Sequence, residues 1–386
     1  MTDRTTVSVA NASSKGRNYV ISICKGIAII LMVLGHTDAP YGILNFVYPF
    51  HMPLFFIAAG YFFSHKYIDE PWTFIRKRIK GLYFPFLKWS IFFLLLHNVW
   101  FHIGVLNEQY GNWEGGVTHP YSFTEAIQRL VYMFTAMAGY DEFMAGAFWF
   151  FRGLFLASII FLLLYILISR RTSISANWTV TIICLGMVAF TAMHIGFGFS
   201  VRFIPNGAWR ETWGVFFFGI GVLYRTYEKR IVEHWGITLF YIVVLCISAT
   251  LHFSGMNNSG HWRDLWTLPL TGITGFLMIH YFAVRIDRHD NVLRRLLVFI
   301  GDNTLYIFIF HIIAFKTVSA VKIWWYGMDW GQIGCHMVIH EHNDDFFFIP
   351  YTIAGVALPL LGLQLCRYLN KWLKNRKLPE SAVVVD

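Results

Sequence analysis

The sequence predicts an all-α, polytopic integral membrane protein, and three features of its composition carry that prediction. Of the 386 residues, 56% are hydrophobic and only 14% are charged, whereas soluble domains are about a quarter charged. Aromatic residues make up 19% of the chain, more than one soluble core can bury. The mean hydropathy is +0.51. This composition argues against a soluble enzyme and excludes an intrinsically disordered chain.

Apolar runs of about 20 residues, the length that crosses a bilayer as a helix, recur ten times along the chain. The predicted spans are 18–38, 43–63, 81–103, 146–169, 177–197, 208–226, 235–252, 264–284, 296–318 and 348–370. Two connections, 104–145 and 319–347, are long, and the others are short turns. Short connections predict that successive spans pack side by side in one helical bundle.

Lysine and arginine residues lie mainly on one side of these spans. If the N-terminus is cytoplasmic, 22 of the 31 fall in cytoplasmic segments, six fall outside and three lie within spans. Such an excess is typical of cytoplasmic loops, so both termini are predicted to be cytoplasmic. The chain then divides into an N-terminal tail (1–17), a transmembrane domain (18–370) and a C-terminal tail (371–386). Membrane lipids are its expected surroundings, and the basic loops explain the net charge of +9 without a nucleic-acid partner.

Lys25 and His36 of the first span are the first functional candidates, because a charged side chain at membrane depth costs about 2.5–3.5 kcal/mol. Eleven residues separate them, about 20° more than three helical turns, so both lie on one face roughly 16 Å apart. In the predicted orientation Lys25 lies nearer the cytoplasm and His36 near the outer end. The alternative is that Lys25 extends to the inner headgroups and His36 simply lies at the outer interface.

The second span begins with His51 between two prolines, in the run YPFHMP (residues 48–53). Prolines at a helix start free backbone groups that a polar site can use. The alternative is an ordinary helix start with aromatic side chains at the membrane surface.

The first two spans together carry a recognisable pattern. The run K-G-I-A-x5-L-G-H (residues 25–36) followed by F-H-M-P-L-F-F-x3-G (residues 50–60) resembles the acyltransferase-3 family of transmembrane acyltransferases. It is most similar to the polysaccharide and fucose O-acetylase branch. Three later segments are also similar to family segments, and they are RKRIKGLYFP (76–85), FWFFRGL (148–154) and GDNTLYIFIFH (301–311). The resemblance extends in order over about residues 18–370.

This resemblance implies acetyl transfer from cytoplasmic acetyl-CoA to a hydroxyl group of a cell-surface or exported carbohydrate, in the plasma (inner) membrane of a bacterium. His36 is the expected general base, because a sugar hydroxyl must lose its proton to attack a thioester. A transient acyl-histidine is the alternative mechanism, and both stay open. Lys25 and the basic loop residues Arg76, Arg78 and Lys80 are expected to hold the donor.

Four further residues of the family-like segments have expected roles. Arg152 is expected to hold a pyrophosphate or stabilise the oxyanion, and a buried ion pair is its alternative role. His311 is expected to orient His36 or bind sugar, and an ordinary buried histidine is the alternative. Trp149 and Asn303, with His51, are expected to contact the acceptor.

The outer run CHMVIHEHNDD (335–345) places His336 and His340 four residues apart, the spacing of a zinc pair on a helix. The run matches no metal motif, and the chemistry implied by the resemblance requires no metal. We therefore predict a solvated loop that faces the sugar, and no metal cofactor.

Three other functions compete with this interpretation. A transporter or flippase for lipid-linked sugars predicts broken helices in paired halves of the chain. The other class of membrane O-acyltransferase has its histidine late in the chain, which would make His311 the catalytic residue. A non-catalytic membrane anchor would have no need of Lys25 or Arg152 at membrane depth.

Overall fold

The computed structural model describes residues 18–113, 118–201, 204–257 and 260–376. These residues form sixteen α-helices and no strand. The helices are α1 (Tyr19–Leu34), α2 (Tyr41–Val47), α3 (His51–Tyr61), α4 (Pro71–Arg78), α5 (Phe84–His102), α6 (Glu108–Gly111), α7 (Phe123–Ala136), α8 (Glu142–Ala145), α9 (Trp149–Arg171), α10 (Ala176–Phe197), α11 (Trp209–Tyr227), α12 (Trp235–Thr250), α13 (Asp264–Asp287), α14 (Val292–Asp302), α15 (Thr304–Tyr326) and α16 (Phe348–Arg376).

Long apolar helices confirm the prediction of an all-α, polytopic membrane bundle. Seven helical segments of the described chain are long and apolar enough to cross a membrane. They are Tyr41–Tyr61, Pro71–His102, Glu142–Arg171, Ala176–Phe197, Asp264–Asp287, Thr304–Tyr326 and Phe348–Lys374. Two shorter apolar helices, α1 and α12, accompany them. Each of the ten predicted spans is largely helical, but the second and the ninth each extend over two helices, and ten crossings remain a prediction. The predicted N-terminal tail, 1–17, lies outside the described residues, as does 377–386 of the C-terminal tail.

Helix α1 lies at the centre of the bundle. It packs against α3, α13, α14, α15 and α16, and several of its side chains are fully buried. Successive helices do pack together in the pairs α10–α11, α12–α13 and α15–α16. For α1 the prediction of sequential neighbours is wrong, because most of its partners come from the end of the chain. Close packing of small side chains, rather than connection length, selects partners for this helix.

Two glycines of the family-like segments let α1 and α14 touch through their backbones. A Cβ atom on Gly26 would overlap the Leu297 carbonyl oxygen, and one on Gly301 would overlap the Ser22 carbonyl oxygen. The contact is reinforced where the Ser22 hydroxyl donates to the Asp302 carboxylate at 3.0 Å. These glycines therefore set the position of α1, which carries Lys25 and precedes His36.

We expect Gly301→Ala to lower the free energy of unfolding by about 1–3 kcal/mol, because the two backbones must separate to admit the methyl group. Thermal unfolding of the purified chain in detergent measures the change. Gly362→Ala on α16 is the matched control, since among the described residues no atom outside its own stretch of helix backbone lies within 4 Å of its added Cβ. That substitution should leave the melting temperature equal or slightly raised. A Gly301→Ala protein as stable as the control would contradict the backbone contact.

The second predicted span is broken into two helices. Helix α2 ends at Val47, α3 begins at His51, and Tyr48 to Phe50 form a turn between them. Pro53 falls in the first turn of α3, where a missing N–H breaks no helical hydrogen bond. The break directs His51 into the bundle, and its side chain is 7% exposed.

The connection 104–145, predicted as a long outer loop, contains a helix that packs back along α5. Asn98 of α5 exchanges hydrogen bonds of 2.8 and 2.7 Å with the Tyr121 backbone just before α7. Tyr83 donates its hydroxyl to the Phe134 carbonyl near the end of α7, at 2.8 Å. Helix α7 therefore runs antiparallel to α5. Polar residues interrupt its sequence, so the segment contains no apolar run of span length from which a helix would be predicted. Its exposed apolar residues include Phe123, Ile127, Val131 and Phe134.

Candidate functional site

Two histidines from distant parts of the chain meet at the predicted outer end of the bundle. His36 lies in the turn after α1, and His311 lies on α15. Their ring centroids are 5.4 Å apart and their planes differ by 28°. His36 is half-buried, whereas His311 is 1% exposed. The stacking places His311 where it can orient His36.

Backbone hydrogen bonds determine which ring nitrogens of the neighbouring histidines can accept a proton. His311 Nδ1 lies 3.2 Å from the Ile307 oxygen and 3.0 Å from the Phe308 oxygen. His51 Nδ1 lies 3.1 Å from the Val47 oxygen. A carbonyl oxygen only accepts, so both Nδ1 atoms carry hydrogen, and Nε2 of each neutral ring is a free acceptor. Within the described chain, His311 Nε2 is buried with no hydrogen-bond partner.

A polar cavity of about 410 Å³ opens beside these histidines, and we call it the outer cavity. Its lining residues are His36, Asn45, Tyr48, His51, Met52, His252, Phe253, Ser254, Gly255, Met256 and Asn257. The Tyr48 hydroxyl donates to the Gly35 carbonyl and ties the turn between α2 and α3 to the residue before His36. The outer cavity thus offers several hydrogen-bonding groups around His36.

An apolar cavity of about 270 Å³, here the inner cavity, lies between α1, α3, α9 and α15. Lys25, Ile29 and Met32 line it from one face of α1. The other lining residues are Met52, Phe55, Ala58, Ala59, Phe62, Leu82, Phe150, Phe151, Leu154, Thr304, Leu305 and Phe308. Lys25 is the one charged residue in this lining among the described residues.

Met52 lines both cavities. It belongs to the first turn of α3, directly after His51. On α1, the wall of the inner cavity ends at Met32, one helical turn before His36. The cavities therefore follow one another along α1, with Lys25 in the first and His36 in the second, and Met52 belongs to the wall of both.

The basic residues predicted to hold the donor lie on a helix, and the expectation of a loop was wrong. Arg76 and Arg78 belong to α4, and Lys80 lies in the π-helical segment Ile79–Tyr83 that joins α4 to α5. Arg76 and Lys80 are exposed, while the Arg78 guanidinium lies 4.7 Å from the Phe74 ring centroid. Cation–π contact stabilises such a half-buried arginine. Leu82, in the same π-helical segment, lines the inner cavity, so the basic residues lie near the end of this cavity that is predicted to face the cytoplasm.

Arg152 forms a buried ion pair, which is the alternative role that the sequence left open. Its Nε lies 2.9 Å from Glu211 Oε1, and the two side chains are 4% and 1% exposed. Trp149 packs nearby, with the Arg210 guanidinium 4.5 Å from its ring centroid. Neither Arg152 nor Trp149 lines the outer or the inner cavity. Arg152 lines a separate cavity of about 330 Å³ that reaches the end of α7.

Asn303 lies at the junction of α14 and α15, away from the outer cavity. Its amide nitrogen donates to the Phe299 carbonyl at 2.8 Å, and its oxygen accepts from Arg367 at 2.9 Å. The structure therefore does not bring Asn303 together with His51 as one acceptor-binding group. The next two residues, Thr304 and Leu305, line the inner cavity instead.

Two buried lysines of α15 hold the connection 327–347 against the bundle. The Lys316 ammonium donates to the Ile333 and Cys335 carbonyls at 2.8 and 2.6 Å. The Lys322 ammonium donates to the Ile339 and His342 carbonyls, each at 3.2 Å. Satisfying a buried ammonium requires such acceptors, and the connection supplies them. The prediction of a solvated loop is therefore wrong for its middle, where Val338 and Ile339 are each 1% exposed.

The same connection covers the outer side of the histidines. His340 pairs with Asp38, two residues after His36. The His336 ring lies 4.6 Å from the Phe143 ring and within electrostatic range of His36. No group of three or more potential ligands in the described ranges could hold a metal ion. His336 thus contacts an aromatic ring, and His340 contacts a carboxylate.

Burial of the His336 ring, with Lys316 and His340 nearby, lowers its pKa from 6.5 to about 4. Between pH 6.5 and pH 4 the unfolded chain binds a proton at His336 and the folded chain does not. The free energy of unfolding therefore decreases as the pH falls through this range. We expect His336→Gln to reduce the loss of stability between pH 7 and pH 5 by on the order of 1 kcal/mol. Thermal unfolding of both proteins at the two pH values measures it, and identical pH dependence would contradict this assignment.

Several residues of the site have sequence features that indicate their contacts but that do not enter the predictions above. Glu211 lies inside the sixth predicted span, and an acidic residue at that depth indicates a buried basic partner. Lys316 and Lys322 lie six residues apart near the outer end of the ninth span, which indicates one ordered partner segment. Met52 and Asp38 had no comparable signal, because their roles depend on residues elsewhere in the chain.

Comparison with known proteins gives one finding. A family model described as an acyltransferase domain matches residues 18–368, which is most of the chain. The match covers both cavities and every predicted site residue. No curated protein and no solved structure matches significantly.

Proposed function

The chain belongs to the acyltransferase-3 family of membrane acyltransferases, and from this membership we propose that it transfers an acetyl group from cytoplasmic acetyl-CoA to a carbohydrate hydroxyl. The acceptor is a cell-surface or exported carbohydrate at the outer side of the plasma (inner) membrane of a bacterium. No metal takes part in the proposed reaction.

The succession of the two cavities along α1 carries this proposal. A donor that enters from the cytoplasm and an acceptor that stays outside must meet within the membrane. The inner cavity is apolar and suits a thioester arm, whereas the outer cavity is polar and suits a sugar. Because Met52 lines both cavities, the thioester carbon of one ligand and the hydroxyl of the other would meet beside His36.

Charge along the proposed donor path supports coenzyme A as the carrier. Its phosphates would lie against exposed Arg76 and Lys80 at the cytoplasmic end of α5. The pantetheine arm would pass Leu82 into the inner cavity, where Lys25 is half-buried. A cation at that depth favours the polar groups of the arm over lipid.

The proposed reaction begins when His36 takes the proton of the acceptor hydroxyl. The oxygen attacks the thioester carbon, the new C–O bond forms, and the C–S bond breaks as the proton passes from His36 to the leaving thiolate. His311 holds the His36 ring by stacking, and His51 Nε2 can accept a hydrogen bond from a second hydroxyl. Attack by His36 itself, giving an acyl-histidine, uses the same arrangement.

Thiol release and coenzyme A binding by the purified full chain in detergent test this proposal. We expect wild type to release thiol from acetyl-CoA in the presence of oligosaccharides. We expect Lys25→Met to weaken coenzyme A binding roughly tenfold, the loss of one charge-assisted contact. Lys88→Met is the matched control, because Lys88 is exposed on α5 and lines neither cavity.

Two results would overturn the proposal. If the wild-type protein neither binds coenzyme A nor releases thiol with any acceptor, acetyl transfer is wrong and the transporter function is favoured. Equal weakening by Lys25→Met and Lys88→Met would show that overall charge, not the inner cavity, governs donor binding.

A further inference from the structure

Part of the outer-cavity wall lies on the connection between α12 and α13. His252, Ser254 and Asn257 of this connection line the cavity together with Asn45 of α2. Gly255 packs against the α2–α3 turn so closely that a Cβ atom would lie 2.7 Å from the Tyr48 carbonyl oxygen. This wall is therefore held against the same turn that leads into His51.

Asn45 and His252 form a hydrogen-bonded pair within this wall. The Asn45 amide nitrogen lies 2.8 Å from His252 Nδ1. An amide nitrogen only donates, so Nδ1 accepts, and the neutral ring carries its hydrogen on Nε2. The pair retains two donors, His252 Nε2–H and the second hydrogen of Asn45 Nδ2, and one acceptor atom, Asn45 Oδ1. Donors next to an acceptor match the hydroxyl groups of a sugar, each of which can donate and accept a hydrogen bond.

His252 has the left-handed backbone conformation that ends α12. Its φ is 50°, in a region that most residues other than glycine avoid but that histidine enters more often than most. The Arg263 guanidinium donates to the His252 carbonyl at 3.1 Å and holds the backbone there. A left-handed residue at this position commonly ends a helix, and the Phe253 N–H donates to the Ser248 carbonyl at 3.0 Å there. The end of α12 therefore fixes the backbone of His252 in the cavity wall.

The lining of the outer cavity contains hydrogen-bonding groups but no Lys, Arg, Asp or Glu in the part of the chain that the structure describes. Nearby charges are matched by opposite ones: Arg263 lies 4.0 Å from Asp264, and Asp38 pairs with His340. A carboxylate or phosphate placed in this cavity would lose water without gaining a counter-charge. The lining therefore favours an uncharged ligand.

We propose that the outer cavity binds an uncharged sugar ring, and that Asn45 and His252 select it by hydrogen bonds to its hydroxyls. This inference rests on the proposed function and specifies its acceptor. The selected ring lies between the Asn45–His252 pair on one side and His36 and His51 on the other. The hydroxyl nearest His36 is the one that is acetylated.

The experiment compares acceptors and variants in the thiol-release assay on the full chain. Neutral oligosaccharides are paired with matched ones in which a uronic acid replaces the terminal hexose. We expect wild type to prefer the neutral member by at least tenfold in kcat/KM. Asn45→Ala and His252→Gly should each raise KM for the neutral acceptor about five- to tenfold, with kcat within threefold of wild type.

Two further variants separate binding from folding. His252→Asn keeps a side-chain donor and tolerates the left-handed backbone, so KM should return to within threefold of wild type. His261→Ala is the control, because His261 is exposed on the same connection and does not line the cavity. It should match wild type.

The outcomes distinguish the two proposals. No thiol release by wild type with any acceptor would defeat the proposed function itself. Thiol release with equal or better use of uronic acids, or with unchanged KM in His252→Gly, would overturn the neutral-sugar inference and leave acetyl transfer standing.

Discussion

His36→Ala should lower kcat for acetyl transfer by about a hundredfold to ten-thousandfold, the contribution typical of a general base. The acceptor hydroxyl would then have to lose its proton without a base in contact. His36 contacts His311 and also lines the outer cavity, as does Met52, which lines the inner cavity too. Coenzyme A binding should persist, because the inner cavity does not include His36.

Parallel variants show whether the base is assigned to the right histidine. His311→Ala should lower kcat less than His36→Ala does, since the role we propose for His311 is to position the ring of His36, and His311 does not line the outer cavity. A larger loss in His311→Ala would assign the base to His311, as in the other class of membrane O-acyltransferase. Full activity of His36→Ala would remove His36 from the chemistry altogether.

Breaking the Arg152–Glu211 pair should cause the largest loss of stability. Removing one partner leaves the other charge buried, which costs about 3–5 kcal/mol. Arg152→Met and Glu211→Leu should therefore each lower the melting temperature strongly. The double variant replaces the pair with apolar side chains of similar volume and should recover most of the lost stability. Thermal unfolding in detergent of the four proteins measures this cycle.

Activity of the double variant then decides between the two roles of Arg152. A stable double variant that transfers acetyl groups at close to the wild-type rate would establish that Arg152 acts through folding. A stable double variant that binds coenzyme A but transfers no acetyl group would restore the catalytic role. Additive destabilisation in the double variant would contradict the ion pair as a coupled unit.

Much of the fold could be predicted because a membrane imposes a local requirement. A helix must be apolar over about 20 residues wherever lipid surrounds it, so each span can be recognised from its own stretch of sequence. Helix α7 was not predicted, because it packs on α5 and carries polar residues. The basic segment 76–80 was predicted to be a loop because it is too polar for a span. In both cases the helix depends on tertiary contacts rather than on an apolar run.

Part of the site could be predicted for a similar reason. Lys25 and His36 stand out because ionisable side chains at membrane depth are costly, and their shared face follows from helical periodicity. Trp149 and Asn303 could not be assigned in this way. Trp149 packs under Arg210, and Asn303 bonds to Arg367, and neither partner is implied by the segment that contains the residue.

The sequence by itself determined that this chain is an all-α membrane protein and which family motifs it carries, because hydropathy and motifs are properties of contiguous residues. Only the tertiary structure decided that His36 stacks on His311, that Arg152 pairs with Glu211, and that Met52 lies between two cavities. These are contacts between distant segments. They depend on how helices such as α1 and α14 approach each other, which close packing of whole surfaces determines and no single segment encodes.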